Sequence, residues 1–159
     1  MPVSSPPAHR NPGFTLIELL VTLCIIGILA LSAYPLYYTT VLKAKRAEAK
    51  TALLRAMQQQ ERYYSQHNRY RAYQGPSAGD DRGLIWFSAD SAAASAYQIS
   101  AAACRGQSLE QCVELSATPG GALVDSSYQD PLCGTLSLNS RGEKTAAGAP
   151  LEQAPDVCR

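Results

Sequence analysis

From Phe14 to Tyr38 the chain reads FTLIELLVTLCIIGILALSAYPLYY, an apolar run interrupted only by Thr15, Glu18, Thr22 and Ser32. As a helix rising about 1.5 Å per residue, such a run extends roughly 37 Å, enough for a hydrocarbon core of about 30 Å. Its apolar side chains fall on every face, and a chain of 159 residues cannot wrap a helix of that kind. Tyr34, Tyr37 and Tyr38 gather at the far end, where amphipathic rings favour a membrane interface. The pattern predicts a transmembrane or filament-core helix over 14–38.

The period then changes without a break. Ala49, Ala52, Leu53, Ala56, Met57, Tyr63 and Tyr64 recur at three- and four-residue spacing, with Lys50, Arg55, Gln58, Gln59 and Glu61 on the remainder. This is one apolar stripe on a helix over 43–65. Joined to the first segment it makes one helix of about 50 residues. A single stripe needs a covering surface, and a sheet laid against it is the economical solution.

Residues 70–96 break the helical pattern, and Gln74 to Gly83 is a loop by composition. The apolar knot Leu84-Ile85-Trp86-Phe87 is expected to tuck that loop against the domain rather than to stack on a ligand. After it the period becomes two. Tyr97–Ala101, Val113–Thr118 and Thr135–Asn139 alternate apolar with polar and read as half-buried antiparallel strands. Pro119-Gly120-Gly121 and Asn139-Ser140-Arg141-Gly142 supply turns. The fold class expected is α+β, a long N-terminal helix packed on a small antiparallel sheet.

Composition narrows the chemistry. With 14 Lys+Arg against 13 Asp+Glu the net charge is +1, too balanced for a chain that holds polyanions by bulk charge. Two histidines, and the absence of a P-loop, dinucleotide glycine motif, nucleophile elbow or zinc-ligand spacing, point away from an enzyme and from a metal or cofactor. His67 and the Asp80-Asp81 pair are expected to be solvated, although loop carboxylates can hold calcium. Arg62, Arg69, Arg71 and Arg82 are candidates for a local basic patch, and only weak binding of double-stranded DNA by the head is expected.

Cys24 lies inside the apolar helix and is expected to be unpaired. Cys104, Cys112, Cys133 and Cys158 allow three pairings. The preferred one joins Cys104 to Cys112 across a polar loop, and Cys133 to Cys158 across the C-terminal tail; four thiolates on zinc are the alternative. Disulfides place the C-terminal side in an oxidising compartment. A positive-inside count argues the reverse, since Lys43, Lys45 and Arg46 follow the apolar segment while Arg10 alone precedes it. The cysteines are given more weight, with the N-terminus cytoplasmic.

A carboxylate within an apolar helix is costly unless it meets a cation. Gly13-Phe14-Thr15-Leu16-Ile17-Glu18, following a short polar leader and preceding an apolar helix, resembles the type III signal of type IV pilins and pseudopilins. The resemblance implies that prepilin peptidase removes a leader at 1–13 by cutting between Gly13 and Phe14, and that Phe14 is then N-methylated. It implies that Glu18 meets the charged amino terminus of a neighbouring subunit. Gly27 and Pro35 fit a helix that bends or loosens on assembly.

Asp130 to Lys144, closing at Cys158, and Glu61-Arg62-Tyr63-Tyr64 with Tyr70 are similar to PilE-like minor pilins; the extra Cys104/Cys112 pair departs from that group. The type IV pilin fold is thus implied, with a globular head over 39–159. The function implied is that of a minor pilin, a structural or assembly subunit serving pilus biogenesis, twitching motility or adhesion. Its partners would be other pilins, prepilin peptidase and an inner-membrane assembly platform. Its location would be the bacterial inner membrane and then an extracellular pilus. A type II secretion pseudopilin and a DNA-uptake pilin are the alternatives.

Overall fold

The structure is a computed structural model that describes residues 14–76 and 83–159; of residues 32–36 it describes the backbone only. Gly13, Arg82 and the Asp80-Asp81 pair lie outside the described residues, as does the side chain of Pro35. The chain divides into two compact units, one ending at Thr39 and the other comprising Thr40–Arg159.

Helix α1 spans Leu16–His67, 52 residues. It starts at Leu16 rather than Phe14 because Thr15 caps it: the Glu18 amide donates to Thr15 Oγ1 at 3.4 Å. It ends where Asn68 turns to a φ of 54°, its amide donating to the Tyr64 carbonyl at 2.8 Å. Among the described residues no helix is long and apolar enough to cross a membrane. The expected run of 14–38 loses Phe14 and Thr15 to the cap, and its C-terminal third includes residues 32–36.

In the second unit, α1 lies on a five-stranded antiparallel sheet of order β1-β2-β3-β4-β5. The strands are β1 Tyr97–Ala103, β2 Val113–Pro119, β3 Leu136–Asn139, β4 Lys144–Ala146 and β5 Ala149–Pro150. Register sets the core face. Ala101 pairs with Leu115 and Leu115 with Leu138, while Ile99 pairs with Ala117 and Ala117 with Leu136. Partners point to the same side of a sheet, so this ladder presents one apolar surface. Ala49, Ala52, Leu53 and Ala56 of α1 are buried against it, with Met57 and Tyr64 partly buried at its margin. The stripe read from the sequence is therefore the packed face of α1 except at Tyr63, which lies off the core and stacks on His67.

β4 and β5 are additions to the expected three strands. They are too short for a period of two to show; β4 is defined by pairing to β3 through Leu136–Ala146 and Leu138–Lys144, and β5 by pairing to β4 through Thr145–Pro150 and Ala146–Ala149. The β2–β3 connection needs Gly120, whose φ is 69° and where a Cβ would stand 2.8 Å from the Tyr128 carbonyl oxygen. The knot at 84–87 is anchored as expected. Leu84, Ile85 and Trp86 pack on the core, and the Ile99 amide donates to the Trp86 carbonyl at 2.7 Å.

Candidate functional site

Three places concentrate the chemistry, and the first is the start of α1. Phe14, Leu16, Ile17, Leu19, Leu20 and Val21 are exposed, as are the large apolar residues that follow to Leu31. Glu18 stands among them in the first helical turn. Thr15-Leu16-Ile17-Glu18 has the form of a capping box, in which the acid at the third helical position also suits the positive end of the helix dipole. The sequence resemblance implies only an intermolecular role for Glu18, to which its place three residues after Thr15 adds one within the chain. Nothing lies within 4 Å of the position a Cβ at Gly27 would take, and Cys24 is free and exposed.

The second place is buried in the head. Arg46 is 4% exposed and Asp130 is 3% exposed. They meet in a two-pronged ion pair, Nε to Oδ2 at 2.6 Å and Nη2 to Oδ1 at 2.7 Å. Tyr97 Oη donates to Asp130 Oδ2 at 2.7 Å, and the Cys133 amide donates to Oδ1 at 3.1 Å. Burial alone would raise the Asp130 pKa, but the bonds from Arg46, Tyr97 and Cys133 outweigh it and hold the carboxyl down to about 2. The Tyr97 phenol is pushed up by burial and by its bonds to Tyr128 and Asp130. Arg46 also donates to the Val157 carbonyl at 3.2 Å, beside the Cys133–Cys158 disulfide. An open concavity reaches Arg46 and Val157 from outside, but both carboxylate oxygens of Asp130 are engaged within the protein. The network acts as a joint between α1, β1 and the disulfide-closed tail.

The third place is the end of the head where α1 stops. The other disulfide, Cys104–Cys112, closes the β1–β2 loop. That loop touches the helix end, with Tyr64 Oη donating to the Glu110 carbonyl at 3.2 Å and the Tyr70 amide to the Leu109 carbonyl at 2.8 Å. It also touches the β3–β4 turn, where Arg141 Nη2 donates to Gln107 Oε1 at 2.6 Å. Tyr63 stacks on His67 at 4.0 Å between ring centroids, and the Arg71 guanidinium lies 6.0 Å from the Tyr63 ring. The structure thus adds Arg105 and Arg141 to the end that carries Arg69 and Arg71. Their separation in sequence concealed this. Glu61 and Glu110 interleave with them, so the surface is mixed in sign rather than uniformly basic.

Residues 35–137, well over half of the chain, match the family described as "Type IV minor pilin ComP, DNA uptake sequence receptor". The chain belongs to the type IV minor pilin family. Residues 9–34 of this minor pilin match the prokaryotic N-terminal methylation motif, which takes in Phe14 and Glu18. Over 94 residues it is 37% identical to the type IV major pilin protein PilA of Myxococcus xanthus, covering 59% of this chain and 39% of that one. It therefore spans about two fifths of the length of that curated relative.

Among solved structures it is similar to a type IV pilin from Shewanella oneidensis, with 24% identity, 67% of this chain and 93% of that chain covered, and a TM-score of 0.41. It is also similar to the non-core minor pilin PilV of Neisseria meningitidis, with 19% identity, coverage of 74% and 97%, and a TM-score of 0.46.

Proposed function

We propose that this minor pilin is a subunit of a type IV pilus whose N-terminal helix is held first in the inner membrane and then among neighbouring helices. The carrying observation is the exposure of large apolar side chains along α1 from Leu16 to Leu31, with one acid, Glu18, among them. Burying each such side chain is worth about 1.5–3 kcal/mol, so the segment is driven into lipid or a helix bundle. There Glu18 requires a cation. The N-terminal methylation motif supports the source of that cation, the amino terminus of Phe14 released by cleavage after Gly13 in an adjacent subunit. Gly27 and Pro35 supply the places where the helix yields. The disulfides support a head outside the cytoplasm.

The test is the intact mass and N-terminal sequence of the protein extracted from cells with and without prepilin peptidase. A chain starting at N-methylated Phe14 only when the peptidase is present is expected. Retention of the residues before Phe14 in both cases would overturn the reading.

One observation favours a second role for the same subunit, contact with DNA during uptake. The matched family is described as a DNA uptake sequence receptor, and Arg69, Arg71, Arg105 and Arg141 share one end of the head with Tyr63 and His67. Removal of Arg10 with the leader leaves 14 − 1 = 13 Lys+Arg against 13 Asp+Glu, so bulk charge does not supply the affinity. Local phosphate contacts and groove contacts must do so. Anisotropy titrations of labelled duplexes across a salt series test this reading. Sub-micromolar, sequence-selective binding that Arg105→Gln and Arg141→Gln weaken is expected; binding as weak as that of a neutral control protein would exclude it.

A further inference from the structure

A cavity of about 280 Å³ lies between the flank of α1 and strands β3 and β4. Leu53, Leu136 and Leu138 form its buried floor, and Leu54 and Leu151 form its sides. Leu54 is 52% exposed although it adjoins the core stripe. The charged residues of the lining are all cations, Lys50, Lys144 and Arg159.

Lys144 is the partner of Leu138 in the β3–β4 register, so it belongs to the helix-facing side of the sheet, yet it is exposed. It makes no ion pair with a described residue. Lys50 stands across the cavity and donates one bond to the main-chain oxygen of Arg159, which leaves its other two ammonium protons for a further acceptor. Burial lowers the Lys50 pKa, and the positive charges of Arg46 and Lys144 lower it further. An apolar trough edged by mutually repelling ammonium groups is an arrangement that an incoming carboxylate relieves.

The depression continues in both directions along α1. A second concavity shares Lys50 and Arg159 and reaches Lys43 and Asp156, and a third shares Leu54 and reaches Met57, Glu61 and Arg62, so the all-cationic edge is confined to the central cavity. On the helix, Ala47, Lys50, Leu54, Met57 and Glu61 follow one another at three- and four-residue spacing and form a single strip beside the buried stripe. At 280 Å³ the central cavity falls just below the range of small-molecule sites and suits a side chain or two of a longer ligand.

We infer that this groove docks an acidic, leucine-rich polypeptide segment of a partner, with an aliphatic side chain seated on Leu53, Leu136 and Leu138 and flanking carboxylates on Lys50 and Lys144. A duplex DNA is the less suitable occupant, because a leucine floor offers nothing to phosphates or base edges. The groove lies within the head and its assignment does not rest on either reading of the pilin's role given above.

The experiment uses the full chain in non-ionic detergent micelles and a labelled peptide alternating leucine with glutamate. A counterpart carrying glutamine at each glutamate serves as control. The acidic peptide is expected to bind about ten-fold more tightly than the control. Lys144→Glu and Leu54→Glu, both exposed, are each expected to weaken it about five-fold or more while the unfolding midpoint stays unchanged. Equal binding of the two peptides, or no response to either substitution, would overturn the inference. If duplex DNA binding fell in both variants and the peptide failed to bind, the groove would be a nucleic-acid contact and the peptide assignment would be wrong.

Discussion

Arg46 and Asp130, 84 positions apart in the chain, face each other with both guanidinium–carboxylate contacts at 2.6–2.7 Å and almost no solvent access. The pair fastens α1 to the segment just before Cys133, so it holds the disulfide-closed tail to the helix. Breaking a buried pair from one side leaves an uncompensated charge, a loss of about 3–5 kcal/mol. Asp130→Asn is therefore expected to destabilise the head by that amount, measured by denaturant unfolding. Replacing both residues with apolar side chains of similar volume is expected to cost much less. Equal losses in the single and double variants would show that the charge itself is not the penalty.

The same carboxyl makes stability depend on acid. Asp130 is held at about 2 in the folded head, below its ordinary value of 3.8. A depressed acid contributes its stability in full above the unfolded pKa and loses it as pH falls through the folded one. The Asp130 contribution should thus be constant above about pH 5 and decline progressively between there and about pH 2. Unfolding midpoints measured across that window should flatten in Asp130→Asn relative to the unaltered chain.

Gln60 is 2% exposed and grips the chain after the helix, its Nε2 donating to the Arg71 carbonyl at 2.7 Å and its Oε1 accepting from the Arg71 amide at 2.9 Å. Gln60→Leu keeps the bulk and strands two backbone groups, at a cost of about 1–3 kcal/mol. Faster amide exchange at Arg71 is the specific sign expected, since a mere packing defect would not single out that amide.

What the sequence conveys and what it conceals separate along these same residues. Alternation in 97–101 and 113–118, and the alanine-rich stripe of α1, report directly which side chains meet, because burial of one face imposes a period. Arg46 and Gln60 continue that stripe, at positions 46, 49, 53, 56 and 60, but their polarity disguises them as solvent-facing. Only the distant partners at Asp130 and Arg71 make their burial tolerable. Gln59 falls on the polar remainder of the helix by its position, yet it clamps the loop through the Gly83 carbonyl and the Ile85 amide. The arginines at the far end of the head become one surface through the 104–112 loop and the 139–142 turn, a tertiary arrangement that no local period announces.

The two disulfides should differ in consequence. Cys133–Cys158 closes a separation of 25 residues and Cys104–Cys112 one of 8. By chain entropy these are worth about 3.5 and 2.5 kcal/mol. Cys133→Ser with Cys158→Ser should cost more than that difference suggests, because the tail they hold also receives the Arg46 bond to Val157. Non-reducing peptide mapping checks the pairing, and unfolding of the two double variants checks the order. A larger loss from the Cys104/Cys112 variant would contradict it.

Glu18 has two candidate duties, and one substitution separates them. As the acid of the Thr15 capping box it steadies the start of α1 within one chain; as a buried charge it would meet the amino terminus of a neighbour. Glutamine serves the capping box as well as glutamate does, but carries no charge to pair. Glu18→Gln should therefore leave helix content and extraction of the protein with membranes unchanged, while reducing its recovery in sheared filaments at least about ten-fold. Thr15→Ala should do the opposite, lowering helix stability by about 1 kcal/mol with little effect on incorporation. Filaments that accept the glutamine variant at the normal level, together with loss on removing Thr15, would assign Glu18 to the cap alone.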